Sequence, residues 1–313
     1  MIEATPSIPA APVASPRPAV VGLGEVLWDV FPDGPRFGGA PANFACGVAA
    51  LSGGRIDACM VSAVGRDVPV DLGRRAVDHL RGRGVDTACV ATVDRPTGQV
   101  LVELDAAGQA SYRFVDDAAW DNLAWSDALA ALAGRSAAVC FGTLGQRKPA
   151  SRATIRRFVA AVPAGCLRVL DVNLRPPFWD AAVVLESLAL ADVLKLNHEE
   201  LPVVAGLLGW RGTDADLLAR LVETYKLRLV ALTRGADGAV LLDAAGNRSD
   251  LPASPTTVRD TVGAGDAFTA ALVVGLLDGL PLPAINAWAG RVAAYVTSQS
   301  GGTPDLPDEL RRR

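Results

Sequence analysis

Short apolar segments alternate with stretches of helical character along most of the chain. Residues 19–31 are rich in valine and leucine and are predicted to form one buried strand that ends at a surface turn. The alanine-rich stretch that follows, residues 39–51, places Pro41 in the first turn of a helix. The alternation resumes at Ala137 and continues almost to the C-terminal end. Strands that alternate with helices indicate an α/β fold with a parallel-centred sheet and helices on both faces.

One segment breaks this alternation. Residues 97–115 contain two strand-like runs around the turn sequence DAAG, a pattern typical of a β-hairpin rather than of a strand–helix–strand unit. The first 18 residues carry five prolines and no continuous apolar run, so we expect residues 1–18 to be a disordered tail. Residues 19–313 are then predicted to form one domain that includes a small separate β-structure.

Composition narrows the classes of function. With 313 residues, of which 50% are hydrophobic, the chain can bury a large core, and its net charge of −4 argues against a nucleic-acid partner. The five cysteines lie far apart and form no CxxC pair, which favours reduced thiols over disulfides or zinc. The sequence shows neither the features of a secretory signal nor an apolar run long enough to span a bilayer. We therefore expect a soluble cytoplasmic protein without a membrane partner.

Common nucleotide-binding and catalytic fingerprints do not match. Gly22 and Gly24 begin a GxGxxG pattern, but Leu27 stands at the third glycine, which argues against a dinucleotide-binding loop and hence a dehydrogenase. The sequence also has no GxxxxGK[ST] loop, no GxSxG elbow and no HExxH pair.

The stretch DTVGAGDAF, residues 260–268, joins small residues to a carboxylate at the start of an apolar helix. The backbone N–H groups of Gly263, Ala264 and Gly265 are predicted to converge at a helix N-terminus, where they attract an anion. Asp266 would repel that anion unless its carboxylate faces the group that attacks it. The helix dipole also favours an acidic residue in the first turn, by about 0.3–1 kcal/mol, without any ligand. The stretch alone leaves both interpretations open.

Five motifs, in order along the chain, resemble those of the ribokinase-like, or PfkB, family of carbohydrate kinases. The C-terminal signature is DTVGAGDAF, and the N-terminal one is FGGAPANFACGVAAL together with SAVGRD. DVNLR, KLNHEE and TRGADGAV lie between them and are similar to the middle motifs of the family. The resemblance extends from about residue 19 to the C-terminal end and implies an ATP-dependent phosphotransferase with an alcohol group as acceptor.

The resemblance implies a catalytic role for the C-terminal signature. Asp266 would be the base that accepts the proton of a substrate hydroxyl. The backbone from Gly263 through Ala264 and Gly265 to Asp266 would form an anion hole for the transferring γ-phosphoryl group. Phosphoryl transfer depends on positioning and charge stabilisation, and a base of this kind supplies about 10²- to 10⁴-fold in rate.

The N-terminal signature is implied to bind the sugar. In relatives, the positions of Asp29, Gly38, Gly39 and Asn43 hydrogen-bond sugar hydroxyls, and these residue types suit a polyol. Without the resemblance, the two glycines would be taken for an ordinary tight turn.

Two arginines are further candidates for the substrate site. Arg113, on the second strand of the hairpin, is a candidate for contact with the substrate or with a partner subunit, and a solvated position is the alternative. Arg175 is a candidate for contact with the sugar or with the phosphates of ATP.

The middle motifs are implied to bind the nucleotide. Asn197 and Glu200 match an NxxE motif in which the glutamate organises Mg²⁺-bound water near the phosphates. The same spacing fits a capping box at a helix start, so both interpretations stay open. Thr233 and Gly235 resemble the phosphate-side contacts of the family, with Gly238 shaping the turn behind them. The implied cofactors are ATP and Mg²⁺.

Three further expectations follow from the resemblance. Residues 30–38 and 97–115 would form a small β lid that excludes water from the sugar site. A homodimer through this lid is the second expectation. The third is a potassium ion beside the anion hole, bound mostly through backbone carbonyls of a loop with Asp260 and Val262 and of residues 299–305.

Within the family, GEVLWDVFPDG, GGAPANFA and DVNLRPPFW are most similar to fructokinases, which implies that fructose is converted to fructose 6-phosphate. A 2-keto-3-deoxygluconate kinase is the first alternative, and Arg175 or Arg113 would then bind the substrate carboxylate. Ribokinase fits less well, because Ala40 stands where its substrate loop usually carries a lysine. A non-catalytic sugar or nucleotide sensor on the same fold would be expected to lose the base or the anion hole, and the sequence retains both.

Overall fold

The computed structural model of the chain describes residues 17–104 and 110–312. The strands are β1 (Ala19–Leu23), β2 (Leu27–Phe31), β3 (Gly34–Gly38), β4 (Asp57–Gly65), β5 (Asp86–Val93), β6 (Gly98–Leu104), β7 (Ala110–Phe114), β8 (Ser136–Phe141), β9 (Leu167–Asp171), β10 (Val193–Asn197), β11 (Leu229–Thr233), β12 (Ala239–Asp243) and β13 (Arg248–Leu251). The helices are α1 (Ala40–Leu51), α2 (Leu72–Gly82), α3 (Asp127–Gly134), α4 (Pro149–Ala161), α5 (Ala181–Leu190), α6 (Glu200–Leu207), α7 (Asp214–Tyr225), α8 (Ala264–Leu277) and α9 (Leu282–Thr297). Most of the predicted N-terminal tail, residues 1–16, lies outside the described residues.

Nine strands form the large sheet, in the order β13-β12-β11-β10-β9-β8-β1-β4-β5. The strands from β11 to β5 in this order pair in parallel, and β12 and β13 add an antiparallel edge. Parallel neighbours need long crossover connections, and helices supply most of them here. The predicted α/β architecture is confirmed.

Helices cover both faces of the large sheet. α3, α4, α5, α6 and α7 pack on one face around buried residues such as Phe158 and Leu188. α1, α8 and α9 pack on the other face around Phe44 and Phe268. Because the central strands are covered on both sides, their sequences are continuous apolar runs, and all five residues of β1 are buried.

Four strands form the small sheet, in the order β3-β2-β6-β7. It contains the predicted hairpin, because β6 and β7 pair antiparallel with Leu101 opposite Arg113. The predicted turn, residues 105–108, lies outside the described residues. Trp28 and Phe37 attach this sheet to α1, α2 and β4 through a hydrophobic cluster of their own.

Residues 19–31 form two strands, so the prediction of a single strand there is wrong. β1 belongs to the large sheet and β2 to the small one, and the connection between them contains Gly24 and Glu25. Both strands are apolar. A run of apolar residues looks the same in the sequence whether its strand belongs to the large sheet or to the small one. The change of sheet therefore leaves little signal in the sequence.

Two other features bear on the predictions. Four of the five cysteines are buried, Cys89 is half-buried, and all five are free thiols, as predicted. Within the described part of the chain, no helix has the length and apolar character needed to cross a membrane.

Candidate active site

The candidate site lies where the strand order of the large sheet reverses. β1 has β4 on one side and β8 on the other, so the sheet grows in opposite directions from this point. In open α/β sheets, such a reversal leaves a crevice at the carboxyl ends of the strands, and ligands bind there. Glu25 after β1, Thr143 after β8 and Asp171 at the end of β9 line a pocket in this crevice, together with Asp266 of α8.

The start of α8 requires a glycine. Gly263 precedes the helix with φ 77°, in the left-handed region, and a Cβ placed on it would lie 2.4 Å from the Cα of Gly302. No side chain among the described residues caps this helix start. The N–H of Ala264 lies 3.4 Å from the carbonyl oxygen of Thr261, which leaves mainly the N–H groups of Gly265 and Asp266 for an anion. The anion hole formed by Gly263, Ala264 and Gly265 stays a prediction.

Asp266 lies in the first turn of α8 and is held by α1. Asn43 Nδ2 donates a hydrogen bond of 2.9 Å to Asp266 Oδ2, across 223 positions of sequence. Loss of hydration raises the pKa of Asp266 to about 6, and the negative charge of Asp171 acts in the same direction. The hydrogen bond from Asn43 opposes this rise. A carboxyl group with this pKa is ionised at neutral pH and still accepts a proton readily.

Glu25 was not among the predicted site residues. It lies between β1 and β2 and only 3% of its surface is exposed. Burial raises its pKa to about 7, and the negative charge of Asp266 adds to the rise whereas Arg175 opposes it. A glutamate directly after a buried strand, at the end that faces a ligand crevice, is a sequence signal that would have found this residue.

A buried ion pair, also missed from the sequence, lies beside the crevice. Lys195 Nζ is 3.1 Å from Asp171 Oδ1, and the two residues are 6% and 5% exposed. Thr269 Oγ1 of α8 lies 3.1 Å from Asp171 Oδ2 and 2.9 Å from the carbonyl oxygen of Gly265, so its one proton is shared between these two acceptors. A lysine inside an apolar strand is the available signal, because a buried ammonium group needs a partner.

Asn197 and Glu200 hydrogen-bond each other's backbone at the start of α6. Asn197 Oδ1 accepts from the N–H of Glu200 at 2.9 Å, and Glu200 Oε2 accepts from the N–H of Asn197 at 2.8 Å. Glu200 Oε1 accepts from the N–H of Leu174 at 2.9 Å. The capping interpretation therefore describes this geometry. Each carboxylate oxygen keeps a lone pair for a water molecule, and a role toward hydrated magnesium stays a prediction.

The other predicted nucleotide residues lie at the end of the neighbouring strand. Thr233 ends β11 in register with Asn197 of β10. Gly238 has φ 85°, and a Cβ there would lie 2.0 Å from the carbonyl oxygen of Leu251, so the turn after Gly235 needs glycine at this position. The turn-forming part of the prediction agrees with the geometry, and contact with phosphates stays a prediction.

The predicted sugar residues come together at the start of α1. Asp29 of β2 lies next to Gly38 of β3, because a Cβ on that glycine would be 2.9 Å from Asp29 Oδ2. Gly39 directly precedes α1, the helix that carries Asn43. Burial raises the pKa of Asp29 to about 6. Their hydrogen bonds to a sugar stay predictions.

The two candidate arginines lie in different surroundings. The positive charge of Arg175 opposes the pKa rise of three carboxyl groups, those of Glu25, Asp29 and Asp266. Arg175 is exposed, and its guanidinium donates a hydrogen bond of 3.0 Å to the carbonyl of Leu174. Arg113 is exposed on β7, at the far strand of the small sheet. Contact of either residue with a substrate stays a prediction.

The loop predicted to bind potassium is tied to the C-terminal segment. Asp260 Oδ1 accepts from the N–H of Val262 at 3.0 Å, and Oδ2 accepts from the N–H of Gly301 at 2.9 Å. The two segments therefore lie side by side next to Gly263. A cation there would meet mainly backbone carbonyls, and its binding stays a prediction.

Known proteins with similar sequences identify the family. Residues 33–309 match the model of the pfkB family of carbohydrate kinases. A fructokinase from Klebsiella pneumoniae is 33% identical over 310 residues, which cover 93% of this chain and 97% of the relative. Fructokinase-1 from Zea mays is 30% identical over 325 residues, with 95% and 97% covered. The chain therefore belongs to the pfkB family of carbohydrate kinases.

Solved structures share the fold. A sugar kinase from Pyrococcus horikoshii, determined in complex with ATP, has a TM-score of 0.76 at 30% identity, with 93% of this chain and 96% of that chain covered. A fructokinase from Vibrio cholerae has a TM-score of 0.77 at 24% identity, covering 94% of this chain and 97% of the other, which is a likeness of fold. The ribokinase-like architecture, with a large sheet and a separate small one, is confirmed.

Proposed function

We propose that the chain is an ATP-dependent sugar kinase that transfers the γ-phosphoryl group to a hydroxyl of fructose and forms fructose 6-phosphate. The observation that carries the proposal is the hydrogen bond between Asn43 and Asp266 at the uncapped start of α8. This hydrogen bond connects Asn43, from the predicted sugar loop, to Asp266, the predicted base beside the predicted anion hole. The fructokinases of Klebsiella pneumoniae and Zea mays, at 33% and 30% identity, favour fructose among the sugars of the family.

Asp266 acts as the base in this proposal. A sugar hydroxyl is too weak an acid to ionise at neutral pH, so its proton moves to Asp266 as the new O–P bond forms. The bond from the γ-phosphorus to the leaving oxygen of ADP breaks in the same step. Asn43 holds Asp266 Oδ2, which orients the carboxylate and leaves Oδ1 for the hydroxyl. A pKa of about 6 keeps the base ionised at neutral pH.

The phosphate side supplies charge stabilisation. The N–H groups from Gly263 to Asp266 are directed at the charge that develops on the transferring group. Glu200 would hold a magnesium ion through water, since backbone N–H groups fix its orientation and leave lone pairs for water. When bound, Mg²⁺ neutralises charge on the phosphates of ATP. Thr233 and Gly235 would complete the phosphate contacts.

The small sheet is proposed to close over the sugar and exclude water. Trp28 Nε1 donates a hydrogen bond of 3.0 Å to the carbonyl of Leu72, which anchors β2 to the body of the protein. β6 and β7 extend the sheet away from this anchor, and the exposed Arg113 belongs to the strand proposed to meet a partner subunit.

A 2-keto-3-deoxygluconate kinase is the second candidate. Arg175 favours it, because its positive charge lowers the pKa of Glu25, Asp29 and Asp266 and would be a counter-charge for a substrate carboxylate. Glu25, Asp29 and Asp266 on the same side favour a neutral ketose, since they repel a sugar acid.

A coupled assay of ADP formation tests the proposal. The substrates are fructose, 2-keto-3-deoxygluconate, ribose, adenosine and fructose phosphates, and ³¹P NMR identifies the product. We expect the highest kcat/KM with fructose. Arg175→Ala sharpens the choice, because it should lower kcat/KM selectively for the sugar acid if that is the natural substrate. If no compound is phosphorylated, the kinase proposal is contradicted and a sensor becomes the better explanation.

A further inference from the structure

Glu25 has a carboxylate oxygen without a hydrogen-bond partner in the described part of the chain. Its Oε2 is fully buried and accepts no hydrogen bond from any residue in the described part of the chain. A buried polar atom without a partner carries a large desolvation penalty, and native structures almost always pair such atoms with protein or with ordered water. Something outside the described protein groups is therefore expected to bond to this oxygen.

The pocket next to Glu25 has the size and lining for water. Its cavity volume of about 10 Å³ is large enough for a water molecule. Glu25 and Asp266 both line it, and Thr143, Asp171 and Asn173 add further polar groups. A water with several polar partners is stable in such a place, and here two of them are the unpaired glutamate and the proposed base.

We infer that Glu25 is a second proton-transfer residue, which receives, through water held in this pocket, the proton that Asp266 removes from the sugar hydroxyl. The inference rests on the proposed function. In the transfer step the hydroxyl oxygen gains the phosphoryl group, ADP leaves, and Asp266 gains the proton. The water then donates one proton to Glu25 and takes one from Asp266, which restores the Asp266 carboxylate. Glu25 releases the proton to solvent before the next turnover.

The charges around the two carboxyl groups support proton transfer from Asp266 to Glu25. Burial raises the pKa of Glu25 to about 7 and that of Asp266 to about 6, so the proton is held better by Glu25. The positive charge of Arg175 limits both rises. Asp171 opposes ionisation of Asp266, and Lys195 favours it. The backbone N–H of Ala40 favours the ionised form of Glu25, which is the form that accepts a proton.

A purely structural role makes a different prediction. A glutamate that stays protonated would be replaced by glutamine at little cost in turnover, because the amide has the same shape and is neutral. A proton acceptor is not replaced by an amide, since glutamine has no basic oxygen at neutral pH. Glu25→Gln therefore separates the two roles.

The experiment compares the wild type with Glu25→Gln, Glu25→Asp and the control Glu223→Gln, whose carboxylate is exposed on α7. Steady-state kcat and KM for fructose and ATP are measured between about pH 5 and 9. For Glu25→Gln we expect kcat to fall by about 10-fold or more, with both KM values within about two-fold. Glu25→Asp should recover part of the loss, and Glu223→Gln should match the wild type.

The pH profile gives a readout that a structural role would not change. Both carboxyl groups must be ionised before transfer, so the acidic limb of log kcat in the wild type should approach a slope of about 2 below about pH 6. Glu25→Gln should reduce that slope to about 1. A wild-type slope of about 1, or an unchanged kcat and pH profile in Glu25→Gln, would contradict the role of Glu25 but leave the proposed kinase function in place. Absence of sugar phosphorylation by the wild type would overturn the proposed function as well.

Discussion

The two sides of the crevice treat their carboxylates differently. On the nucleotide side, Glu200 accepts a backbone N–H at each oxygen. Asp171 lines the pocket with Glu25 and Asp266, and Lys195 and Thr269 lie beside its two oxygens. On the sugar side, Asp266 is held at Oδ2 by a neutral amide. Glu25, on the same side, has a buried oxygen without a hydrogen-bond partner among the described residues.

This difference separates structural from reactive carboxylates. A carboxylate with a donor at each oxygen is fixed in position, and it suits the orientation of a metal-bound water or of a neighbouring strand. A carboxylate with a free oxygen and a pKa near 6 or 7 is able to exchange protons at neutral pH. The nucleotide side is therefore built for positioning and the sugar side for proton transfer.

Replacement of Asp266 is the most direct test of the proton-transfer side. Asp266→Asn should lower kcat by about 10²- to 10⁴-fold, because the amide no longer accepts the hydroxyl proton, while ATP affinity changes little. Steady-state kinetics and calorimetric titration with ATP measure both effects. Asp214→Asn is the control, since it changes an exposed first-turn aspartate of α7. Turnover close to wild type in Asp266→Asn would remove Asp266 as the base.

The structural role of Asp171 is tested through its ion pair with Lys195. Lys195→Met leaves Asp171 buried without its cation and should lower the free energy of unfolding by about 3–5 kcal/mol. The double variant Lys195→Met/Asp171→Leu should recover part of this loss, because no unpaired charge remains. Lys148→Met removes a partly exposed lysine that lies 2.8 Å from the exposed Asp116 and should have little effect. Equal urea-unfolding curves for Lys195→Met and Lys148→Met would contradict the comparison.

Glu25 should make the protein less stable as the pH rises. Burial raises its pKa from 4.5 to about 7, so its contribution to stability is complete below about pH 4.5 and is lost as the pH rises through about 7. Glu25→Gln stays neutral and should be more stable than the wild type above that pH. At about 1.4 kcal/mol per pKa unit, the gain is about 3 kcal/mol. Urea unfolding at about pH 5 and 8 measures it, and a gain of equal size at both values would argue against ionisation of Glu25.

Asn43→Ala has the smallest expected effect and tests how Asn43 influences the pKa of Asp266. Its hydrogen bond lowers the pKa of Asp266, so Asn43→Ala should raise that pKa and move the acidic limb of kcat to higher pH. At saturating fructose, kcat should fall several-fold more near pH 6 than near pH 8. Asn247→Ala removes an exposed amide that bonds Asp243 and serves as the control. A limb that stays in place would mean that Asn43 does not set the pKa of the base.

Local sequence patterns were sufficient to predict most of the helices and strands. The helix after Gly39 and the hairpin of β6 and β7 follow from turn residues and apolar periodicity, and both are present. The change of sheet between β1 and β2 was missed, because apolar residues look alike in either sheet. The NxxE motif was left between a metal role and a capping role, and Glu200 shows that one side chain has the geometry of a cap and oxygens left for water.

The sequence by itself determined that a carboxylate, Asp266, stands at a glycine-rich helix start, because the helix dipole and glycine conformation act within a few residues. Only the tertiary structure decided what that carboxylate and its neighbours can do. The hydrogen bond from Asn43 spans 223 positions, and the pKa values of Glu25 and Asp266 depend on water excluded by segments far apart in the chain. Desolvation and charge interactions act through space, so their sum is set when the elements pack and not by the order of residues along the chain.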